Sequence, residues 1–214
     1  MRNKIRGHII FDLDGTLIDS KQEIINTYKL VINELIVDPI PDFEKLNYGA
    51  SLHYVLSAIY GNHSEKIEKA KSLFASLYDN SSFEETHLYS GVVETLNLLK
   101  SRDWQLYIAT NKRFTPTLKI LIKKGIYHYF SGVMATEMQP NVSLSKEEMI
   151  ALLKQQFAFT EGYMVGDSSA DIIAGQNQDL KTIAATYGYE NRAIFDTQKP
   201  TYTIDFIDEI HQIL

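Results

Sequence analysis

The sequence predicts an α/β protein: a Rossmann-like parallel sheet core with helices on both faces, interrupted by an inserted all-helical domain. Three observations predict it. Short apolar, β-branched runs alternate with helical patterns along most of the chain, as in a parallel sheet covered on both sides. Between residues 20 and 83 the alternation stops and only helical spacing is found. Two of the apolar runs end abruptly in acids, and open α/β sheets bind ligands at the carboxyl ends of their strands.

Taken in order, residues 7–11 form a buried strand that stops at Asp12 and Gly15. The insertion follows, opened by a capping-box pattern of Ser20 and Glu23. Its helical stripes are Ile24, Tyr28, Val31 and Leu35, then Leu52, Val55, Leu56 and Ile59, then Ile67, Ala70, Phe74 and Leu77. A polar run, Asp79-Asn80-Ser81-Ser82, closes it. Further strands are predicted at 105–109, 132–135, 162–165, 182–185 and 202–204, and helices at 116–123, 146–157, 169–178 and 205–210. The expected division is a sheet core of residues 1–19 and 84–214 and a helical domain of residues 20–83.

Composition narrows the function classes. The chain has 214 residues, enough to bury a sizeable core, and 11 Gly with 5 Pro is ordinary globular usage. With 21 basic against 27 acidic residues the net charge is −6 and no long basic run exists, so neither a nucleic acid nor a membrane surface is expected as partner. There is no Cys, which excludes thiol catalysis and thiolate metal sites, and the six His show no metal-ligand spacing. Any metal must then be held by oxygen. The apolar run behind the N-terminus is cut short at Asp12, and no stretch reaches membrane-spanning length, so the expected location is cytoplasmic.

Four constellations carry chemistry. Phe11-Asp12-Leu13-Asp14-Gly15-Thr16-Leu17 sets two acids at a strand end; a turn accounts for Asp and Gly, but two acids, a Gly and a Thr exceed what a turn requires. Gly166-Asp167-Ser168-Ser169-Ala170-Asp171 follows a second apolar strand. Ser168 and Asp171 can serve simply as a helix cap, which leaves Asp167 unexplained. Together the two segments deliver carboxylates to one sheet edge, an oxygen-rich cluster that suits Mg²⁺. Thr110 and Asn111 close the strand at 105–109, with Thr115 as cap and Pro116 as first residue of the next helix; they read equally as phosphate-binding donors or as a Thr-Asn turn. Lys146 falls in the first turn of a helix capped by Ser145 and Glu148, where a cation opposes the helix dipole by about 0.3 kcal/mol or more. That placement is understandable if the ammonium faces a carboxylate and a phosphate; the plain alternative is a surface lysine.

With these pieces in this order, the chain resembles the phosphatase branch of the haloacid dehalogenase superfamily, in the group that inserts a helical C1-type cap after the first motif. Asp12-Leu13-Asp14-Gly15-Thr16 matches motif one, Thr110 motif two, Lys146 motif three, and Gly166-Asp167 with Asp171 motif four. Leu88-Tyr89-Ser90-Gly91-Val92 and Thr186-Tyr187-Gly188-Tyr189 are similar to segments of phosphoglycolate-phosphatase-like members. Many relatives carry the motif-three Lys directly before a Pro, where this chain has Gln139-Pro140; others place it at a helix start, as Lys146 is.

The resemblance implies a Mg²⁺-dependent phosphatase acting on a small phosphorylated metabolite through an aspartyl-phosphate. Asp12 would be the nucleophile, and Asp14 the acid for the leaving oxygen and then the base for water. Asp12, the backbone carbonyl of Asp14, and Asp167 would hold Mg²⁺, with Asp171 as a further ligand or outer contact. Thr16, Thr110, Asn111 and Lys146 would bind the phosphoryl group. An acid at position 14 sets the chain apart from the dehalogenases and the transport ATPases of the superfamily. Residues 20–83 would be the cap, with Tyr48, Gly49, Ser51, His53 and Tyr54 as readers of the leaving group. Two other readings stand beside this one: a sugar-phosphate mutase, whose caps generally carry an Arg that residues 49–52 lack, and a non-catalytic binding module on the same fold. A monomer or weak homodimer is expected.

Overall fold

The computed structural model describes residues 5–35, 42–43, 52–61, 63–138 and 143–214. These residues contain a six-stranded parallel sheet of β1 (Gly7–Phe11), β4 (Trp104–Thr110), β5 (Phe130–Ala135), β6 (Tyr163–Gly166), β7 (Lys181–Ala185) and β8 (Tyr202–Ile204). Their order across the sheet is β5-β4-β1-β6-β7-β8. Chain order thus runs outward from β1 on one side and then restarts beside β1 on the other, the doubly wound pattern whose reversal point opens a crevice at the strand ends. That point lies between β1 and β6.

The strands are buried on both faces: Ile9, Ile10 and Phe11 in succession, and Leu106 to Ala109, are at most 1% exposed. Each such large apolar side chain contributes about 1.5–3 kcal/mol on burial. One face packs Ile10, Tyr107 and Met164 against Met149, Ile150 and Leu153 of α6 (Lys146–Phe157), with Ala174 of α7 (Ser169–Asn177). Helix α4 (Val92–Ser101) lies against β4, burying Leu96 and Leu99. The remaining helices of this unit are α5 (Phe114–Lys123), α8 (Ile194–Gln198) and α9 (Ile210–Ile213).

The chain forms two compact units: one runs through Asp19 and resumes over Leu88–Leu214, and the other is Ser20–His87. The second contains α1 (Lys21–Glu34), α2 (Leu52–Tyr60) and α3 (Ser64–Asp79). Ile25, Tyr28, Val31 and Ile32 form the buried stripe of α1, and Ile67, Ala70, Phe74 and Tyr78 that of α3, with Tyr28 and Phe74 in ring contact. Phe83 packs edge-on against Tyr78, so the segment behind α3 stays with the helices. Where the chain leaves and re-enters the sheet unit, β2 (Ile18–Asp19) and β3 (His87–Leu88) form a separate two-stranded sheet. Among the described residues no helix is long and apolar enough to cross a membrane.

Three local expectations are corrected. Ser20 is the N-cap residue of α1, but its side chain does not cap: the Glu23 carboxylate is drawn instead to the Ser81 hydroxyl and the Glu85 N–H. Helix α5 starts at Phe114 with Arg113 as N-cap, so Pro116 sits third in the first turn, where an N–H has no helical partner to lose. The helix expected at 205–210 is a 3₁₀ turn, Ile207–Glu209, leading into α9.

Candidate active site

The first acidic segment is held where β1 ends. The Asp12 N–H still donates to Val165 O of β6 at 2.8 Å, fixing Asp12 beside the reversal point. The chain then folds back tightly, with the N–H groups of Leu17 and Ile18 donating to Leu13 O at 2.9 and 3.0 Å. Gly15 occupies the left-handed region at φ 81°, and a Cβ there would overlap the Asp167 carboxylate.

The second segment leaves β6 and enters α7. Ser168 caps that helix by accepting from Asp171 N–H, and Asp171 Oδ2 accepts in return from the Ser168 N–H at 3.1 Å and its hydroxyl at 2.6 Å. The capping reading of Asp171 is therefore correct. It is also incomplete, because Asp171 is 1% exposed and its carboxylate lies in a cluster with those of Asp12 and Asp167, the ligand oxygens within 4.8 Å of one another.

Lys146 enters this cluster from the start of α6, whose capping box of Ser145 and Glu148 forms as expected. Its Nζ donates to Asp12 Oδ1 at 2.5 Å and Ala109 O at 2.9 Å, and lies 2.8 Å from Asp171 Oδ1. Burial disfavours the ammonium, but Asp12 and Asp171 outweigh it and hold its pKa above the ordinary lysine value. One ammonium does not balance three buried carboxylates. Burial, reinforced by Asp171 and Asp14 and opposed by Lys146, pushes Asp12 up to about 7. Burial, followed by Asp12 and Asp171, pushes Asp167 well above the usual carboxylate range.

That imbalance is the test of a metal site. Three carboxylates converging with insufficient positive charge form a hard-oxygen donor set that fits a divalent cation such as Mg²⁺. Asp12, Asp167 and Asp171 would hold it. The Asp14 carboxylate is not in the cluster; it pairs with Lys112 Nζ at 2.8 Å. Thr110 ends β4 with its buried hydroxyl accepting from the Lys112 N–H at 3.1 Å, while Asn111 is exposed beside it. The Thr16 hydroxyl is buried against Asp167 Oδ1 at 3.3 Å, so here it serves an acid.

Two groups of residues were not singled out as site residues by sequence reasoning. Lys112, whose ammonium pairs with Asp14, is one. The other is the turn after β7. There the Tyr189 N–H donates to Asp167 Oδ2 at 2.7 Å, Tyr187 Oη to Thr16 O at 2.9 Å and Tyr189 Oη to Asp19 Oδ1 at 3.2 Å. A Cβ on Gly188 would overlap Asp167 and approach Gly15 O to 2.5 Å. Asp167 is thus seated between two glycines, with a donor on each oxygen. Of the expected leaving-group readers, Tyr48, Gly49 and Ser51 lie outside the described residues, as do Gln139 and Pro140; His53 and Tyr54 are exposed on α2.

Residues 9–185 match the haloacid dehalogenase-like hydrolase family. The chain belongs to that family. This haloacid dehalogenase-like hydrolase is 30% identical over 219 aligned positions to a phosphoglycolate phosphatase from Vibrio parahaemolyticus, covering 96% of this chain and 95% of the relative. It is 29% identical, with the same coverage, to the pyrophosphatase PpaX of Bacillus mycoides. Its fold matches a haloacid dehalogenase-like family hydrolase from Streptococcus pneumoniae with a TM-score of 0.87 at 24% identity, over 97% of both chains.

Proposed function

We propose that this hydrolase is a Mg²⁺-dependent phosphatase that cleaves a small phosphomonoester or related phosphoryl compound through an aspartyl-phosphate on Asp12. The observation that carries the reading is the convergence of the Asp12, Asp167 and Asp171 carboxylates at the sheet's reversal point, with Lys146 paired to Asp12 and Asp171. The names of the two relatives, phosphoglycolate phosphatase and pyrophosphatase, support the phosphoryl chemistry.

An Asp12 carboxylate oxygen attacks phosphorus while the bond to the leaving oxygen breaks, and Asp14 gives that oxygen its proton. Water then attacks the same phosphorus, Asp14 takes the water's proton, and Asp12 is released with inorganic phosphate. Lys146 holds Asp12 in place and offers positive charge to the phosphoryl oxygens, and the Thr110 hydroxyl and Asn111 donate beside it. When bound to Asp12, Asp167 and the Asp14 backbone carbonyl, with Asp171 alongside, Mg²⁺ supplies charge neutralisation for the carboxylates and the transferring group. The helical unit serves as the cap that excludes water from the intermediate. A cytoplasmic enzyme, monomeric or weakly dimeric, completes the reading.

Phosphate release from a panel of phosphorylated metabolites, with Mg²⁺ and with EDTA, tests it. Mg²⁺-dependent turnover is expected with at least one member, and Asp12→Asn should lower kcat by at least about 10³-fold while the protein stays folded. Folded protein that releases no phosphate from any member, or that isomerises a sugar phosphate instead, would overturn the reading.

A further inference from the structure

We infer that Glu190 is a positioning residue for the metal site: it ties the turn after β7 to the start of α7 and so keeps the Tyr189 N–H on the Asp167 carboxylate. This rests on the reading in which Asp12, Asp167 and Asp171 hold a divalent cation.

The turn lies between β7, which ends at Ala185, and α8, which starts at Ile194. It reaches the acidic cluster through its backbone, the Tyr189 N–H donating to Asp167 Oδ2 at 2.7 Å. The next residue grips the same segment further along. Glu190 Oε2 accepts from the Ser169 N–H, and Oε1 from the Ser169 hydroxyl at 3.2 Å. Two bonds of opposite sense thus close a ring, from Tyr189 to Asp167, along the chain to Ser169, and across to Glu190 beside Tyr189. A single bond would let the turn pivot; the second fixes its orientation.

Helix capping does not account for Glu190. The capping box of Ser168 and Asp171 already starts α7, and half-buried Ser169 is at the first helical position, whose N–H water can serve. Nor does the fold depend on it, because beyond the turn Phe195 of α8 is buried with Ile172 and Ala184. A further carboxylate beside a segment that already carries Asp167 and Asp171 adds repulsion, opposed here by its two donors and the α7 N-terminus. The placement is explained by what Ser169 separates. Asp167 lies two residues before it and Asp171 two after, so a grip on Ser169 steadies the main chain from which both carboxylates project.

The Mg²⁺ affinity of the metal-free protein, measured calorimetrically beside the melting temperature in EDTA, tests the inference. Glu190→Ala should weaken binding by about 10-fold, the lower end of the loss on removing an outer partner of a metal ligand. Glu190→Gln, whose amide oxygen still accepts the Ser169 N–H, should restore most of that affinity. Ser169→Pro removes both donors and leaves the Glu190 charge; proline suits the first helical position and the extended Ser168 before it, at φ −121° and ψ 156°. It should weaken binding as Glu190→Ala does, and the double variant should bind no more weakly than either single one. Equal losses in Glu190→Ala and Glu190→Gln with none in Ser169→Pro would show charge acting at a distance and overturn the inference. Unchanged affinity in Glu190→Ala, or affinity lost only in step with the melting temperature, would overturn it too, leaving the metal and phosphatase readings in place. Should Glu190→Ala fail to fold, Ser169→Pro must still bind more weakly than Glu190→Gln. Folded wild type that binds no Mg²⁺ removes the metal reading and this inference together.

Discussion

Each of the two units buries carboxylates, and it treats them in opposite ways. In the helical unit Glu23, 8% exposed, receives the Ser81 hydroxyl and the Glu85 N–H, neutral donors that satisfy it within the protein. At the sheet's reversal point Asp12 and Asp167, 6% and 3% exposed, are set against each other and against Asp171, with a single ammonium between them. A buried acid that only staples a fold is given its partners by the chain. Acids gathered without enough partners are arranged for a charge that comes from outside.

The contrast can be broken most severely at Gly188. Ala there must displace Asp167 from its seat, so affinity for Mg²⁺, measured calorimetrically, should fall by about 10- to 100-fold. The melting temperature in EDTA should fall much less; equal loss of both would make the turn after β7 merely structural.

A pH series tests the same imbalance with a smaller effect. Asp12 ionises at about 7 in the folded protein against 3.8 ordinarily, so between those values the folded state keeps a proton that the unfolded chain has released. Stability from this source is therefore complete below about pH 4 and lost as pH rises through about 7. In EDTA the melting temperature should decline from about pH 5 to about pH 8, and stabilisation by Mg²⁺, which needs ionised carboxylates, should grow over the same range. A flat profile in EDTA would show that the cluster is already balanced. The smallest effect is expected in the helical unit. Glu23→Gln should cost about 1 kcal/mol in denaturant unfolding, by weakening one of two neutral contacts, and should leave Mg²⁺ affinity unchanged.

Legibility in the sequence followed the range of the interactions. Helix α6 is found at Lys146–Phe157 as expected because its start is written locally, in the reciprocal bonds of Ser145 and Glu148. Strands were legible as apolar runs, although β4 extends one residue further at each end, to Trp104 and Thr110. Helix α4 escaped notice because Gly91, and no Ser, Thr or Asp, stands at its N-cap. The identical two-residue signal at Ser20 and Glu23 failed, since the decisive donors lie at Ser81 and Glu85, about sixty residues away. Asp12 and Asp167 were legible as acids ending buried strands. Lys112 was not, although Thr110 and Asn111 beside it were, because its bond is to Asp14, 98 residues away.

The ribbon of β2 and β3 carries one more consequence. Paired strands run about 4.8 Å apart, so the insertion begins and ends at neighbouring points. A short tight turn joining Asp19 to Leu88 would bridge that gap at little entropic cost and leave every pairing of the six-stranded sheet intact. The helical segment therefore departs from and returns to the sheet unit at one place, and excising it would cost the six-stranded sheet none of its pairings.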